Sequence, residues 1–415
     1  MEEKIIYVYA DFLSFQKELI GRLYVSQTRG NEFCSFEYDA NWLQRGGTVL
    51  DPDLQLFAGR QYVNGEKKLF GIFADSCPDR WGRKLMNRRE ELRARFASEK
   101  PRKLTESDYL LGVYDESRMG GLRFKTDPDG EFLSNDKDYV TPPWTSLREL
   151  EQASIAFEQD NIGVDGKWLR QLLAPGSSLG GARPKASVMA PDGSLWIAKF
   201  PSKNDSFDSG AWEMTVHDLA VMCGIAVPEA RAERFSKLGT TFLVKRFDRE
   251  GSQRVHFSSA MTMLGKTDGA GASDGSSYLE IASFIKANGA KPKEDLFELW
   301  SRIVFSMAVS NTDDHFRNHG FLLTDGGWKL SPMYDVNPDI YGDFLSLNVD
   351  ADNSAIDFEL AIDAAPYYGI DRKSAREQVE SVKSIVRENW KKTASFYGIA
   401  RSEIERMSPA FAMHA

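Results

Sequence analysis

The stretch SNTDDHFRNHG, residues 310–320, decides how the rest of this sequence is interpreted. It places two carboxylates, two histidines, an arginine and two asparagines in eleven positions. It follows directly on LFELWSRIVFSMAV (296–309), an apolar stretch that is typical of a buried helix. So many metal-binding and proton-accepting groups directly after a buried helix indicate a functional loop. Two interpretations compete: a metal-dependent hydrolase and a phosphotransferase.

The hydrolase interpretation rests on His315 and His319, which are four residues apart. On a helix, two such histidines share one face, as in the HExxH helix of zinc proteases. The segment HFRNH has no glutamate at its second position, however, and Asn318 and Gly320 indicate a loop rather than a helix interior. A zinc site is therefore the weaker interpretation, and the histidine pair is more typical of a structural role.

Phosphoryl transfer accounts for more of these residues. Asp313 and Asn318 are five residues apart, which is the spacing of Asp and Asn in the D-x-x-x-x-N catalytic loop of protein kinases. The reaction needs a carboxylate near the acceptor hydroxyl, oxygen ligands for Mg²⁺ and a cation on the nucleotide phosphates. Residues 320–330 predict a β-hairpin around a TDGG turn, and Asp335 follows it. Because a hairpin returns the chain to its start, we expect Asp335 to approach Asn318.

The segments upstream follow the order of a protein kinase. A Gly-rich loop, SSLGGARPK (177–185), precedes a predicted strand that carries Lys199, and a predicted helix carries Glu213. Each of these features is common by itself, because a strand lysine is usually a surface charge and a mid-helix glutamate is usually solvated. Their order along the chain favours a kinase: the phosphate loop comes first, then the cation, its carboxylate partner, the catalytic Asp313 and the metal ligands.

At this point the sequence resembles the HipA family, the kinase components of HipBA-type toxin–antitoxin systems. The segments similar to the family's kinase motifs are SSLGGARPK (177–185), WIAKFP (196–201), VKRFDR (244–249), NTDDHFRN (311–318) and LSPMYDV (330–336). The match departs from the family pattern at one extra glycine in the first segment and at Lys245, where Glu is usual. The segments similar to the family's N-terminal subdomain are FADSCPDRWGRKL (73–85) and YLLGVYDESRMGGLRF (109–124).

The resemblance implies a role for each residue of the predicted site. Asp313 would be the catalytic base, and Asn318 and Asp335 would hold Mg²⁺. Lys199 would contact the α- and β-phosphates of ATP, and Glu213 would orient it. The other residues implied in nucleotide binding are Ser178, Gly180, Gly181, Ala182, Arg183, Lys185 and His315. The adenine contact is expected near His256–Met263, without an assigned residue.

The resemblance also implies regulation, substrate and partners. Ser178 stands where the family carries a regulatory autophosphorylated serine, and Ser177 beside it leaves the acceptor open. The chain would be an ATP- and Mg²⁺-dependent serine/threonine protein kinase. As a toxin, it would inhibit translation by phosphorylating a target such as an aminoacyl-tRNA synthetase and produce a dormant, drug-tolerant cell. A small helix-turn-helix antitoxin like HipB would be the partner, with operator DNA contacted only through it.

Two other classes remain as alternatives. One is a nucleotide-binding pseudokinase that acts as a co-repressor; the presence of Lys199, Asp313, Asn318 and Asp335 argues against it. The other is a small-molecule kinase, since such enzymes share the Asp-to-Asn spacing of the loop. The N-terminal segments and the Gly-rich loop favour the protein kinase.

The predicted fold is α+β, a two-lobed protein-kinase-like architecture similar to HipA with a mainly helical C-terminal lobe. We expect an N-terminal subdomain at residues 1–150, a kinase N-lobe with the Gly-rich loop at 151–262 and a helical C-lobe at 263–415. Locally, the sequence predicts a helix capped by Asp79, a capping box from Thr105 to Asp108, a hairpin of ASVMA and SLWIAKF around PDG, and a helix ending at Gly224.

Bulk composition fits a cytoplasmic globular protein. The chain has 415 residues, of which 42% are hydrophobic and 27% charged, and a net charge of −9, so non-specific binding of its whole surface to nucleic acid is not expected. Cys34, Cys77 and Cys223 form no CxxC pair and are expected to be reduced. No signal peptide and no apolar run of the length of a membrane span, about 18 residues, is evident.

Overall fold

The computed structural model describes residues 3–28, 30–46, 48–65, 67–136, 140–159, 172 and 181–413. The chain divides into two compact units. The first comprises Met1–Ala198 and Asp248–Ser258, and the second comprises Lys199–Phe247 and Ser259–Ala415. The three-part division expected from the sequence stays a prediction.

The first unit contains a five-stranded antiparallel sheet with the order β4-β3-β2-β1-β5. Its strands are β1 (Lys4–Phe12), β2 (Phe15–Thr28), β3 (Asn31–Tyr38), β4 (Gln61–Tyr62) and β5 (Leu122–Lys125). Buried residues alternate along β1, where Ile6, Val8, Ala10 and Phe12 face the core. This period of two is the reason the segment forms a half-buried strand.

Five helices of the first unit pack with this sheet or follow it in the chain. They are α1 (Ala40–Gln44), α2 (Gly71–Ala74), α3 (Arg80–Phe96), α4 (Glu106–Gly112) and α5 (Leu147–Glu158). Asp79 caps α3 by accepting a hydrogen bond from the Gly82 amide at 2.8 Å. Thr105 and Asp108 form the reciprocal capping box of α4. Both caps were predicted from the sequence and are confirmed.

Two hairpins complete the first unit. Strands β6 (Lys185–Met189) and β7 (Leu195–Lys199) flank a turn in which Gly193 has φ +82°, so the predicted hairpin is confirmed; the last residue of β7, Lys199, is counted with the second unit. Strands β10 (Arg249–Glu250) and β11 (Gln253–Arg254) pair antiparallel. The β10–β11 segment is fixed by Asp248, which is fully buried and accepts hydrogen bonds from the Gly120 amide and the Arg249 guanidinium.

The second unit is mainly helical. Its helices are α6 (Ser209–Met222), α7 (Ala260–Met263), α8 (Tyr278–Asn288), α9 (Pro292–Ala308), α10 (Phe358–Ala364), α11 (Arg372–Phe396) and α12 (Arg401–Met407). Its antiparallel pairs are β8 (Ala230–Glu233) with β9 (Thr241–Lys245), and β13 (Gly320–Thr324) with β14 (Gly327–Leu330). Strand β12 (Phe257–Ser259) has its first two residues in the first unit and its last, Ser259, in the second. Gly224, with φ +76°, follows α6 as predicted.

Helix α9 is the central element of the second unit. Its first turn contains Pro292, whose missing amide hydrogen needs no partner there. Trp300 is fully buried, and its indole nitrogen donates a hydrogen bond to the Ala361 carbonyl of α10 at 2.9 Å. The apolar stretch 296–309 is therefore the buried helix that the sequence predicted. It precedes the polar stretch 310–320, called the polar loop below. Among the described residues, no helix combines the length and the apolar composition that a membrane crossing requires.

Candidate active site

The polar loop begins where α9 ends. Ser310 has φ +49°, in the left-handed region, and the Asn311 amide donates to the Ser306 carbonyl at 2.8 Å, so the chain reverses direction there. Residues 311–315 are irregular, and Phe316–Asn318 form a single 3₁₀ turn before β13 begins. The predicted loop conformation is confirmed, and His315 and His319 do not share a helix face.

Asp313 presents its carboxylate to solvent at the tip of this loop. Its side chain is 89% exposed, and the Nε2 atom of His315 lies 3.9 Å from one of its oxygens. The pKa of Asp313 is nevertheless raised, first because surrounding protein atoms reduce its hydration; His315 lowers it, while the negative charges of Asp335, Asp314 and Asp339 raise it further. A carboxylate with these properties can accept a proton from an approaching hydroxyl.

Asn318 lies beneath Asp313 and is buried. Its side-chain amide nitrogen donates a hydrogen bond to the Asp313 carbonyl at 2.8 Å, which fixes the amide orientation. Its Oδ1 atom is buried and has no hydrogen-bond partner among the residues that the structure describes. A buried amide oxygen is rarely left unsatisfied, so this atom is suited to a ligand such as a hard cation or an ordered water.

Lys199, Glu213 and Asp335 meet in one cluster. The Lys199 ammonium lies 2.5 Å from a Glu213 oxygen and 2.6 Å from an Asp335 oxygen. Burial by itself lowers the pKa of Lys199, but the charges of Asp335 and Glu213 outweigh it and raise the pKa, so the amine stays protonated. Asp335 also has φ +60°, a left-handed conformation that is costly for a non-glycine residue and that often marks a functional position.

Hydrogen bonds hold the Asp335 segment against the polar loop. The Tyr334 hydroxyl donates to the Arg317 carbonyl at 2.8 Å, and the Asn337 amide donates to the Asn311 side-chain oxygen at 3.3 Å. The β13–β14 hairpin, which connects the polar loop to the Asp335 segment, has the predicted length and turn. Asp313, Asn318, Asp335, Lys199 and Glu213 are therefore brought together within the second unit, although the roles assigned to them remain predictions.

A buried polar cluster supports the loop from behind. Asp314 is 2% exposed, accepts a hydrogen bond from the Tyr278 hydroxyl at 2.8 Å, and lies 3.1 Å from the Nε2 atom of His319. Burial by itself raises the pKa of Asp314, but His319 and the Tyr278 hydrogen bond outweigh it and lower the pKa. Within the described part of the chain, no group of three or more His, Cys, Asp or Glu side chains is arranged to hold a metal.

The Gly-rich loop is described only in part. Ser177, Ser178 and Gly180 lie outside the described residues. Gly181 has φ +93°, a conformation that favours glycine, while Ala182 is exposed and Arg183 is half-buried. The predicted nucleotide-binding role of these residues stays a prediction.

Lys185 makes a contact that the sequence did not indicate. Its ammonium lies 2.8 Å from the Asp79 carboxylate, and both side chains are buried. The Trp81 indole nitrogen also donates to the Lys185 carbonyl at 2.9 Å. The start of β6 is thus tied to the N-terminal end of α3, and the charge of Lys185 is neutralised by Asp79. Burial, only partly offset by Lys185, raises the pKa of Asp79.

His256, at the start of the region expected to contact adenine, faces the core. It is 2% exposed and stacks on Phe12, with ring centroids 4.8 Å apart. Burial lowers its pKa to about 3, so the ring is neutral. Ser259 in the same region caps α7 by accepting from the Thr262 amide at 3.1 Å. These two side chains have structural surroundings, and the adenine contact stays unassigned.

Family models match both ends of this architecture. A model described as the HipA-like C-terminal domain matches residues 177–390, more than half of the chain, and one described as the HipA N-terminal domain matches residues 13–104. The chain belongs to the HipA family. The C-terminal match contains Lys199, Glu213, Asp313, Asn318 and Asp335, so the clustered residues lie within the family domain.

Two curated relatives align over part of the chain. A protein of Sinorhizobium fredii named "Putative kinase Y4mE" is 28% identical over 183 residues, which are 38% of this chain and 41% of that protein. A protein of Haemophilus influenzae named "Putative kinase" is 32% identical over 101 residues, which are 23% of this chain and 29% of that protein. The alignments thus span less than half the length of either relative.

A solved HipA structure has the same fold. HipA of Shewanella oneidensis MR-1, from a complex of HipA, HipB and operator DNA, superposes with a TM-score of 0.68 at 18% identity, covering 98% of this chain and 96% of that one. The predicted α+β, HipA-like fold is therefore confirmed. At this identity the likeness concerns the fold alone.

Sequence reasoning missed several residues that support the site. Asp79 was identified as a helix cap but not as the partner of Lys185, and Tyr278 was not connected with the polar loop. Thr312 was read only as part of a motif, although its hydroxyl donates to Asp339 at 2.8 Å. These contacts join segments that are distant in sequence, so spacing carries no signal for them; the one available signal was the polarity of Tyr278 at the start of an apolar helix.

Proposed function

We propose that this HipA-family chain is an ATP- and Mg²⁺-dependent serine/threonine protein kinase that acts as the toxin of a type II toxin–antitoxin module. The observation that carries the proposal is the buried Oδ1 atom of Asn318, which has no hydrogen-bond partner among the described residues, in the same unit as the Lys199–Glu213–Asp335 cluster. Phosphoryl transfer requires oxygen ligands for the metal and a cation for the phosphates. The candidates are the amide oxygen of Asn318, the carboxylate of Asp335 and the buried ammonium of Lys199.

Each residue has a defined task in this reaction. Asp313, open to solvent and with a raised pKa, orients the acceptor hydroxyl and takes its proton. Lys199, held protonated by its two carboxylates, binds the nucleotide phosphates, and Glu213 fixes its position. Asn318 and Asp335 hold Mg²⁺, which supplies positive charge against the charge that develops on the phosphoryl oxygens. Catalysis thus comes from positioning and charge stabilisation.

The partners follow from the family. The related Shewanella oneidensis HipA occurs in a complex with HipB and operator DNA. A HipB-like helix-turn-helix antitoxin is accordingly proposed as the partner here, with operator DNA reached through that partner. The net charge of −9 is consistent with a basic partner and with little direct contact to DNA. The proposed substrate is a protein of translation, such as an aminoacyl-tRNA synthetase, and the proposed location is the cytoplasm.

Autophosphorylation of the Gly-rich loop is proposed as the regulatory step. A phosphate on Ser178 adds about −1.5 to −2 charge next to the place where the triphosphate is expected to bind. Repulsion between the two would lower the affinity for ATP, so the enzyme would switch itself off. Peptide mapping by mass spectrometry after incubation with ATP and Mg²⁺ tests this. We expect phosphate on Ser177 or Ser178 in the wild type and no phosphate there in Asp313→Asn. A catalytically active enzyme that never carries phosphate at either serine would contradict the proposal.

One experiment separates the proposed kinase from its alternatives. The purified chain and Asp313→Asn are incubated with γ-labelled ATP and a cell extract, and the labelled species are identified. Label on a protein in the wild-type reaction, and not in the Asp313→Asn reaction, supports the protein kinase. Label on a small molecule indicates a small-molecule kinase, and no label with intact ATP binding indicates a pseudokinase co-repressor.

A further inference from the structure

The segment that follows Asp335 packs against the residue directly before the proposed catalytic base. The Thr312 hydroxyl donates to Asp339 at 2.8 Å, and the Ser346 hydroxyl donates to the Thr312 carbonyl at 2.7 Å. Gly342 approaches so closely that a Cβ atom there would lie 2.3 Å from the Thr312 methyl carbon. Residues 339–346 are therefore held directly beside Asp313.

Two large apolar side chains on this segment point into solvent. Tyr341 is 86% exposed and Phe344 is 62% exposed, on either side of the Gly342 contact. Exposure of an aromatic ring to water is unfavourable in free energy. Exposed aromatic side chains close to a reactive group are therefore typical of a surface that binds a partner. The backbone around Phe344 is fixed, since the next residue, Leu345, donates to the Ser354 carbonyl at 2.7 Å.

A small cavity opens on the same loop. It has a volume of about 230 Å³ and is lined in part by Met261, Thr267, His315, Phe316, Arg317 and Ser346. Ligand pockets for drug-sized molecules are usually about 300–1,000 Å³, so this cavity is small enough to suit a single side chain. Ser346 lines the cavity and also belongs to the segment that is hydrogen-bonded to Thr312. The cavity and the two rings are therefore both next to the polar loop.

We infer that Tyr341, Phe344 and this cavity form the acceptor surface, and that they bind an extended polypeptide with a bulky apolar side chain within a few residues of the phosphorylated serine or threonine. This inference rests on the proposed kinase function. A polypeptide fits these features because it can place its hydroxyl at Asp313 and its neighbouring side chains on the rings and in the cavity. A small hydroxylated metabolite is too short to use both.

The rings are tested with a serine-centred peptide library in which each flanking position is varied. The variants are Tyr341→Ala, Phe344→Ala and the double variant, and the matched control is Phe396→Ala, whose ring is 80% exposed at the end of α11. The wild type is expected to select aromatic or aliphatic residues at one or two positions. Each single variant is expected to raise the KM for the preferred peptide by about 5–10-fold, with the double variant raising it further and Phe396→Ala leaving it unchanged.

The cavity is tested with Thr267→Trp, which adds a ring to its wall. Selectivity at one peptide position is expected to disappear while selectivity at the others persists, and the affinity for ATP, measured by direct binding, is expected to match that of the wild type. A loss of ATP affinity would show that this cavity, which His315 and Met261 also line, serves the nucleotide, and would overturn its assignment to the acceptor. Thermal unfolding of every variant controls for folding, and Thr267→Ala replaces Thr267→Trp if the latter unfolds early, with an expected shift of selectivity at that position toward larger side chains.

The outcomes distinguish this inference from the proposed function. A wild type that transfers phosphate to no acceptor overturns the kinase proposal and the inference together. A wild type that phosphorylates peptides while the ring variants keep its KM and its selectivity overturns the inference alone. Transfer only to free hydroxylated small molecules also overturns it, whereas a selective rise in peptide KM supports it.

Discussion

The Lys199 ammonium contacts the Asp335 carboxylate at 2.6 Å, although 136 residues separate the two in the sequence. The same ammonium contacts Glu213 at 2.5 Å, so one buried cation neutralises two acids. Phosphoryl transfer requires a cation and a metal-binding acid close together, and this contact is consistent with the proposed assignment of those roles to Lys199 and Asp335.

Lys199→Met should weaken both the fold and nucleotide binding. It leaves Glu213 and Asp335 without their cation, and an uncompensated buried charge costs a few kcal/mol; because Asp335 is partly exposed, we expect a loss of about 2 kcal/mol in the free energy of unfolding. Urea unfolding and ATP titration measure the two effects. Glu213→Gln keeps one ion pair and should lose less of both, and a Lys199→Met variant as stable as the wild type would contradict the role of this cluster.

Asp313→Asn should retain the fold and ATP binding and lose transfer. The side chain is exposed, so the change costs little stability, whereas removal of a general base typically lowers the rate by about 10²–10⁴-fold. Transfer of label from ATP to a protein acceptor at saturating ATP is the measurement. Asp325→Asn, in the turn between β13 and β14, is the matched control. Wild-type transfer by Asp313→Asn would remove this residue from the mechanism.

Tyr278→Phe should destabilise the second unit and slow transfer. It deletes the hydroxyl that donates to the buried Asp314 carboxylate, and a hydrogen bond to a charged group contributes about 1.5–3 kcal/mol. Because Asp314 follows Asp313 directly, the loop should become less well positioned, and kcat should fall more than the KM for ATP changes. Tyr367→Phe, at an exposed tyrosine, is the control. Equal unfolding free energies for both variants would show that the Tyr278 contact is unimportant.

The contribution of His256 to stability should be lost as the pH is lowered below about 6.5. Burial lowers its pKa to about 3 in the folded chain, whereas in the unfolded chain it takes up a proton near pH 6.5. The unfolded state therefore binds more protons between these values, and the contribution of His256 is present above about pH 6.5 and lost below it, by about 1 kcal/mol at about pH 5.5.

The pH effect is isolated by comparison with a variant. Burial raises the pKa of Asp51 to about 6, which favours the folded state on acidification and partly hides the effect of His256. His256→Phe keeps the ring stack on Phe12, and its unfolding free energy should fall by about 1 kcal/mol less than that of the wild type between about pH 7.5 and 5.5. Parallel curves for the two proteins would refute the assignment.

Binding of a non-hydrolysable ATP analogue should require Mg²⁺ and not Zn²⁺. The proposed ligands, Asn318 and Asp335, are hard oxygen donors, and His319 is buried against Asp314. Isothermal titration with each metal measures this, and Asn318→Leu should weaken Mg²⁺-dependent binding about tenfold or more. Stoichiometric zinc in the purified protein, lost in His315→Ala, would instead revive the hydrolase interpretation.

The local structure around the site could be predicted from the sequence, because short-range rules govern it. The period of the apolar residues predicted α9, turn residues predicted the β13–β14 hairpin, and cap residues predicted the starts of α3 and α4. The spacing of Asp313, Asn318 and Asp335 indicated that hairpin closure would bring them together. Each of these depends on residues within about twenty positions of one another, where chain geometry leaves few alternatives.

The contacts between distant segments were decided only by the tertiary structure. The sequence could not show that Lys185 would be neutralised by Asp79, that Tyr278 would reach Asp314, or that Gly342 would pack on Thr312 and leave Tyr341 exposed. Buried charges and hydroxyls must find partners, but which partner they find depends on how the elements pack. The residue types at the site were therefore set by the sequence, while their charge states and exposure were set by packing between segments far apart along the chain.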